Sequence, residues 1–476
     1  MRCAIDYWPK FATYAKYIMD KEKENTMTST TDLNMVNAYI PGRANVAPAT
    51  AALIERRDAL LGPAYRLMYE HPLHIVRGEG AWLIDPEGHR YLDIYNNVAS
   101  LGHCHPAVTE AICRQVKTLA TNTRYLHDTI LELAERLLST VPETELAHLM
   151  LTCTGSEAND VAYRIAQVRT GGTGVIVTET AYHGFTDAVS KFSPSLGVTV
   201  DLGAHVRLVP APRLYHADGA DISERFTRDV EAAIADLKRH GIKPAALIVD
   251  SVFTSDGILP EPTGLLRGAV DAIKRAGGLF IADEVQPGFG RTGEHMWGFQ
   301  RHGVVPDIVT MGKPMGNGQP VAGLLATADA LAEFGKNSRY FNTFAGNAVS
   351  CAAALAVLDT IEQEGLVQHA ATVGKILRDG ISELANRHEA IGDVRGVGMF
   401  VGVELVADRA SRVPDRELTT RVVNRMRDNG VLLSACAMGH NVLKIRPPLV
   451  LTAEQAGIVI ETLDEALSAV RSEKRG

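Results

Sequence analysis

The stretch 307-DIVTMGKPMGNGQP-320 decides how this 476-residue chain is read. It continues an apolar run, Val304–Met311, suited to a short buried strand, and then turns at Gly312, Lys313 and Pro314, with Gly316 and Gly318 beyond. Glycine and proline let a backbone turn sharply and approach a ligand closely. A lysine withdrawn from water at such a strand end loses its proton more readily. Its neutral amine is then a nucleophile able to form a Schiff base with an aldehyde. Most lysines lie in water and do nothing of the kind, so the weight of Lys313 depends on the rest of the chain.

Outward from this stretch, short apolar strands recur between helical patterns. The strands are Ala147–Cys153, Val175–Thr178, Val206–Val209, Ala246–Val249, Leu279–Ala282 and Ile308–Thr310, and helices such as Pro106–Leu119 and Thr129–Thr140 accompany them. That alternation predicts an α/β fold with a mostly parallel sheet covered on both faces. Ligands in such sheets sit beyond the carboxyl ends of the strands. Ahead of this region come a helix at Ala49–Leu61 and a hairpin within 74–95 that turns at Asp85–Gly88. Behind it, one long helical region runs from about 348 to about 386. The hairpin-like VRGVGMFVGVEL follows, then a helix at Glu417–Asp428, a strand at Val442–Ile445 and a helix from Ala453. The expected organisation is an N-terminal extension (1–27), a segment joining the small domain (28–104), a large domain (105–347) and a small α+β domain (348–476).

Composition sets the outer limits. Hydrophobic residues make up 46% and charged residues 22%, which suits a globular chain. A net charge of −8 gives no reason to expect a nucleic acid or an anionic membrane as partner. There is no apolar run of membrane-spanning length. Six scattered cysteines without a C-x-x-C pair suggest reduced thiols and a cytoplasmic protein. Residues 1–26 carry five aromatic residues and the run DKEKEN but no apolar signal core, and Met27 opens MTSTTD. They read as an upstream extension or a disordered arm.

Four strand-end features agree with Lys313. Thr154, Gly155 and Ser156 follow a strand and open a helix, where backbone N–H groups suit a phosphate, although Gly-Ser is also a common cap. Tyr182 and His183, in 181-AYHG-184, follow the next strand and offer an aromatic face for a flat ring. Asp283, followed by Glu284, Val285 and Gln286, ends another strand, and a carboxylate buried there needs a cationic partner such as a protonated ring nitrogen. The loop 341-FNTFAGN-347 adds polar residues before a helix. A phosphate cradle, an aromatic face, an acid for a pyridinium and an amine for an aldehyde together make a site for pyridoxal 5′-phosphate. The tract 102-GHCHP-106 has metal-ligand residue types, but zinc needs about four ligands and no second cluster is in view, so no metal is expected. No G-x-G-x-x-G follows a first strand, which argues against a nicotinamide enzyme.

The motifs GSEAND, DEVQPGFGRTG, PDIVTMGKP and FNTFAGN resemble those of class III aminotransferases, of the fold type I pyridoxal-phosphate superfamily, over about 70–470. The resemblance implies a large domain with a mostly parallel seven-stranded sheet and a smaller α+β domain. It also implies roles. Lys313 carries the cofactor and shuttles protons, and Asp283 pairs with the pyridine nitrogen. Gly155 and Ser156 hold the phosphate, Tyr182 stacks on the ring beside His183, Val285 packs the other face, and Gln286 reaches the ring hydroxyl. Thr343 holds the phosphate of the neighbouring subunit's cofactor, which implies a homodimer with shared sites, or a dimer of such dimers. GHCHP resembles part of the active-site wall in these proteins.

The class often carries an arginine for the substrate α-carboxylate two positions before Arg446, where this chain has Lys444. Arginine grips a carboxylate with a planar fork, whereas lysine is a point charge. The stretches YLDIYNNVASLGHCHP, NTRYLHD, YFNTFAGNAVSC and NVLKIRPP resemble the ethanolamine-phosphate and phosphohydroxylysine phospho-lyase branch. The chain departs from that branch at Ser251–Gly257 and at Gln319, where a histidine is expected. The resemblance implies elimination of phosphate from O-phosphoethanolamine or a close amino-phosphate, giving acetaldehyde, ammonia and phosphate. Lys444, Arg446 and Arg66 are the candidate substrate contacts. The alternatives are a class III aminotransferase acting on an ω-amine or diamino acid, and an ammonia-lyase acting on 1-hydroxy-2-aminoethylphosphonate.

Overall fold

Apolar runs without polar alternation become the strands of one central sheet. The computed structural model describes Met35 and residues 37–142, 144–197 and 200–473, so the expectation for residues 1–27 lies outside the described residues. The chain divides into two compact units, Met1–Met35 and Val36–Gly476, and every element below belongs to the second. The central sheet has seven strands in the order Leu146–Thr152, Ala322–Thr327, Ile308–Met311, Leu279–Asp283, Pro244–Asp250, Gly174–Thr178 and Val206–Val209. Ala322–Thr327 runs antiparallel to both its neighbours, and the five strands beyond it are mutually parallel.

Burial explains the unbroken apolar runs. Gly174–Thr178, Leu279–Asp283 and Ile308–Met311 are buried at every position, as strands covered on both faces must be. Side chains along each strand alternate between the two faces. Val175, Val177 and Ile281 pack with Val161 and Ile165 of the helix Gly155–Thr170. Ile176, Leu247 and Phe280 pack with Phe226 of Ile222–Arg239 and Ile273 of Arg267–Arg275.

This register places the chemistry. Asp250 and Asp283 are direct neighbours at the carboxyl ends of adjacent parallel strands, and Thr310 pairs with Asp283 from the other side. Three polar residues therefore lie in a row at the sheet edge, one strand spacing apart.

The C-terminal elements mostly follow expectation. Ile391–Val397 and Phe400–Leu405 form the antiparallel hairpin, and Val442–Ile445 joins it with Lys444 opposite Gly402. The long helical region expected from about 348 to 386 is made of two helices, Ala348–Gln363 and Leu366–Leu384. They are separated at Gly365, whose φ of 59° is left-handed; a helix cannot continue through that conformation. Trp82–Ile84 and Arg90–Asp93 form the expected hairpin, and Val431–Leu432 adds to it in parallel.

Candidate active site

A buried carboxylate must be surrounded by donors. Asp283 is 3% exposed. Its Oδ2 accepts from Asn159 Nδ2 at 2.9 Å and lies 2.6 Å from His183 Nδ1, while Oδ1 accepts the Val285 amide at 3.0 Å. Asn159 is itself fixed, donating to the His183 carbonyl at 2.7 Å and accepting from Thr310 Oγ1 at 2.8 Å. One helix, two loops and the neighbouring strand thus hold one carboxylate in a single orientation. The far ring nitrogen of His183, Nε2, is buried with no partner among the described residues.

The helix Gly155–Thr170 begins with a complete capping box. Thr154 Oγ1 accepts the Glu157 amide at 3.1 Å, and Glu157 Oε2 accepts the Thr154 and Cys153 amides at 2.9 and 2.8 Å. The Ala158 amide bonds the Thr154 carbonyl at 3.0 Å. First-turn geometry leaves the Gly155 and Ser156 amides without intrahelical partners, at the positive end of the helix. A Cβ on Gly155 would stand 2.7 Å from Val285 Cγ1. Gly155→Ala is therefore expected to push Val285 out of place at a cost of about 1–3 kcal/mol, on the order of tenfold to a hundredfold in cofactor affinity. Fluorescence titration of the apoprotein with pyridoxal phosphate checks this, and wild-type affinity would count against the cradle.

Lys313 follows the strand Ile308–Met311 and faces the same cavity, which measures about 210 Å³. Gly155, Ser156, Tyr182, His183, Asp283, Val285, Gln286 and Lys313 all line it, so eight of the expected cofactor contacts converge. Lys313 Nζ stands 5.9 Å from the centre of the Tyr182 ring. Burial, and then the charge of Arg446, hold its amine below the ordinary lysine range, while Asp283 and Asp250 pull the other way.

The remaining candidates lie at different depths. Arg446 is buried, donating to Gln286 Oε1 at 2.5 Å and Asn97 Oδ1 at 3.2 Å, with its guanidinium 4.7 Å from the centre of the Tyr95 ring. Gln286, assigned to the ring hydroxyl, thus also holds Arg446. Lys444 is buried, and desolvation first, then Arg446, hold its amine well below the ordinary lysine range, with Cys436 and Asp250 opposing. Thr343 is exposed and does not line the cavity of its own chain. Its neighbour Asn342 donates to Glu157 Oε1 at 3.3 Å, which sets the loop against the start of the phosphate helix. Arg66 is exposed and also lies outside the cavity lining. In 102-GHCHP-106, the His103 ring meets Asp93 at 2.9 Å and Pro106 opens a helix.

Sequence reasoning passed over Asn159, Thr310 and Asp250. Asn159 lies one helical turn after Gly155 in the same motif, and that spacing could have placed it on the cavity side. Asp250 ends a strand just as Asp283 does. Burial pushes its carboxyl up, with Asp283 adding to the effect and hydrogen bonds from Thr254 and the Val252 amide opposing it.

The residues present fit pyridoxal phosphate. Two free amides at a helix start suit its phosphate, the bare Cα of Gly155 leaves room beside Val285, a fixed carboxylate awaits its ring nitrogen, and a lysine of lowered basicity awaits its aldehyde. A family model described as aminotransferase class-III matches residues 65–467. The chain is 41% identical over 434 residues to an alanine–glyoxylate aminotransferase 2-like protein of Drosophila melanogaster, covering 88% of each. It is 35% identical over 437 residues to ethanolamine-phosphate phospho-lyase homolog 1 of Caenorhabditis elegans, covering 87% of this chain and 93% of that one. A phospholyase from Arthrobacter, solved in complex with phosphoethanolamine, is similar with a TM-score of 0.84 and 44% identity, covering 88% of this chain and 99% of that one.

Proposed function

This chain belongs to the class III aminotransferase family of fold type I pyridoxal-phosphate enzymes, and we propose that within it the protein is a phospho-lyase. Its substrate would be O-phosphoethanolamine or a close amino-phosphate, split without an amino acceptor into acetaldehyde, ammonia and phosphate. The observation that carries this reading is the buried Lys444 at the position where the class often has a carboxylate-gripping arginine. Lys313 and Asp283 line the cavity, and Lys444, Arg446 and Asp250 lie behind that lining, close enough for their charges to act on Lys313 or on one another; three cations against two carboxylates favour an anionic leaving group.

Bound pyridoxal phosphate supplies an aldehyde that takes up amines and a protonated ring that draws electrons from the attached carbon. The chain does the rest. Asp283, locked by Asn159, His183 and the Val285 amide, keeps its negative charge directed into the cavity. The Lys313 amine, held below the ordinary lysine range by burial, would take the proton from the substrate carbon bearing nitrogen. Loss of that proton expels phosphate from the neighbouring carbon as the C–O bond breaks with its electron pair. Lys444 and Arg446 would receive the phosphate charge. Water then hydrolyses the released two-carbon fragment to acetaldehyde and ammonia.

A lysine of lowered basicity sets the pH behaviour. Anion binding needs Lys444 charged, and that charge is present at low pH and lost as pH rises past its depressed value. The substrate phosphate becomes a dianion only above about pH 6. KM for O-phosphoethanolamine is therefore expected to pass through a minimum and to climb as pH is raised from neutrality toward the ordinary lysine range. Lys444→Arg, always charged, should flatten the alkaline side. Lys444→Met should raise KM by on the order of 10- to 100-fold, as loss of a charge-assisted contact does, while leaving an amine without phosphate little affected. An equal loss for both amines would contradict the assignment.

Transamination of an ω-amine or diamino acid is the second reading, favoured by the name of the Drosophila relative. The homodimer is also part of the proposal. Tyr125, Leu126 and Phe344 are 68%, 100% and 73% exposed, and Arg124 stacks on Phe341 at 3.8 Å, so apolar side chains gather beside Thr343. A second copy covering them would bring Thr343 to its neighbour's cofactor. The scattered thiols support a cytoplasmic setting.

A further inference from the structure

The segment Asp93–His103 lies between the turn that carries Lys313 and the strand exit that carries Arg446, and it hydrogen-bonds to both. On the lysine side, Ser100 Oγ donates to the Pro314 carbonyl at 3.1 Å. The Leu101 amide donates to Asn317 Oδ1 at 2.8 Å, and Asn317 Nδ2 donates to the Gly102 carbonyl at 2.9 Å. On the other side, the Ile94 carbonyl accepts the Arg446 amide at 2.6 Å and the Ser100 carbonyl accepts the Leu449 amide at 2.7 Å. Between these anchors, Val98 lines the cavity and Asn97 Oδ1 accepts from the Arg446 guanidinium.

The two ends of this strap are buckled together. Asp93 is 2% exposed; its Oδ1 accepts the amides of Tyr95 and Asn96 at 3.1 and 2.9 Å, and its Oδ2 meets His103 Nε2 at 2.9 Å. The His103 backbone is pinned in turn, its amide donating to the Gly80 carbonyl at 2.7 Å and its carbonyl accepting the Gly80 amide at 3.2 Å. Gly78 leaves room for the His103 side chain, since a Cβ there would stand 2.6 Å from His103 Cβ. At the lysine turn, Asn317 has φ +48°, a left-handed conformation that asparagine tolerates better than most residues. Its amide bonds the strap in both directions.

We propose that Asp93, His103 and Asn317 are positioning residues. The Asp93–His103 buckle closes the strap, and Asn317 transmits its shape to the turn that aims Lys313, so one element sets the lysine and Arg446 relative to each other. None of the three lines the cavity. They act only by holding others, and a displacement of about 1 Å at a reacting group is enough to cost on the order of 10²-fold in rate.

The test needs no substrate and so stands apart from the choice between lyase and aminotransferase. Apoprotein is mixed with pyridoxal phosphate, and covalent capture by Lys313 is followed as growth of the visible band. The pH midpoint of that band is read afterwards, and non-covalent affinity is read from tryptophan quenching. His103→Ala and Asn317→Ala should each slow capture on the order of 10²-fold and move the band's pH midpoint, with the quenching affinity nearly unchanged. His103→Gln, which can still donate to Asp93, should recover most of the rate. The control is His388→Ala, which breaks a comparable part-buried pair, His388 lying 2.6 Å from Asp464 between C-terminal elements. It should lower thermal stability and leave capture and midpoint alone. Capture at the wild-type rate in both strap variants, or equal slowing in the control, overturns the proposal. Should His103→Ala fail to fold, Asn317→Ala decides, since it removes two bonds at a half-buried turn and no core packing.

Discussion

Lys313→Ala abolishes turnover of every amine the protein accepts, with a fall of at least about 10⁴-fold in kcat, because it removes both the nucleophile and the base. Among the described residues no other lysine lines the cavity. Lys444 is the nearest candidate in charge, but it hangs from a strand of the C-terminal sheet opposite Gly402, whereas Lys313 sits on the turn leaving the strand next to Asp283. The same variant should show free pyridoxal phosphate in its spectrum, not the band of lysine-bound cofactor. An unchanged band would remove Lys313 from the centre of the site. Added methylamine should restore little of the loss, since a free amine lacks the aim of the Gly312–Gln319 turn.

Asp283→Asn carries the next largest effect, a fall of about 10²–10⁴-fold in kcat. The substitution keeps the shape and some of the hydrogen bonding while removing the charge. Its consequences reach Lys313 as well. Asp283 is one of two carboxylates that raise the lysine's basicity against burial and Arg446, so its loss should shift the pH midpoint of the visible band downward. With its oxygen toward His183 and Asn159, which both donate to Oδ2, the asparagine would turn its NH2 toward the Val285 amide, donor against donor. A variant with near-normal kcat and an unmoved midpoint would show that the carboxylate has no electrostatic part in turnover.

Much of this was legible in the sequence, for reasons tied to individual residues. Strands buried on both faces write themselves as apolar runs, which is why Val442–Ile445 was placed to the residue; the edge strand Val206–Val209, buried only at its two end valines, was placed equally well by those valines and Leu208. Strand ends carrying Asp283 and Lys313 stood out because a charge directly after such a run has nowhere apolar to go. Ala322–Thr327 was not legible. It is buried at all six positions and lacks both alternation and β-branched enrichment, so periodicity cannot tell it from the start of a helix. The break at Gly365 was hidden because apolar spacing continues on both sides. Asn159 and Asp250 were missed for another reason. Their roles depend on which strands are neighbours, and only the register of Asp250 against Asp283 shows that. The hold of Arg446 on Gln286 likewise joins residues 160 positions apart.

The central claim is elimination by a lysine-centred site that has a lysine where the class often grips a carboxylate. The most direct measurement is inorganic phosphate and acetaldehyde released from O-phosphoethanolamine by the purified, pyridoxal-phosphate-loaded protein, with no oxo acid present. Phosphate, acetaldehyde and ammonia should appear in equal amounts over many turnovers, with no change on adding pyruvate. No phosphate release, together with amine turnover that appears only when pyruvate is supplied, would contradict it.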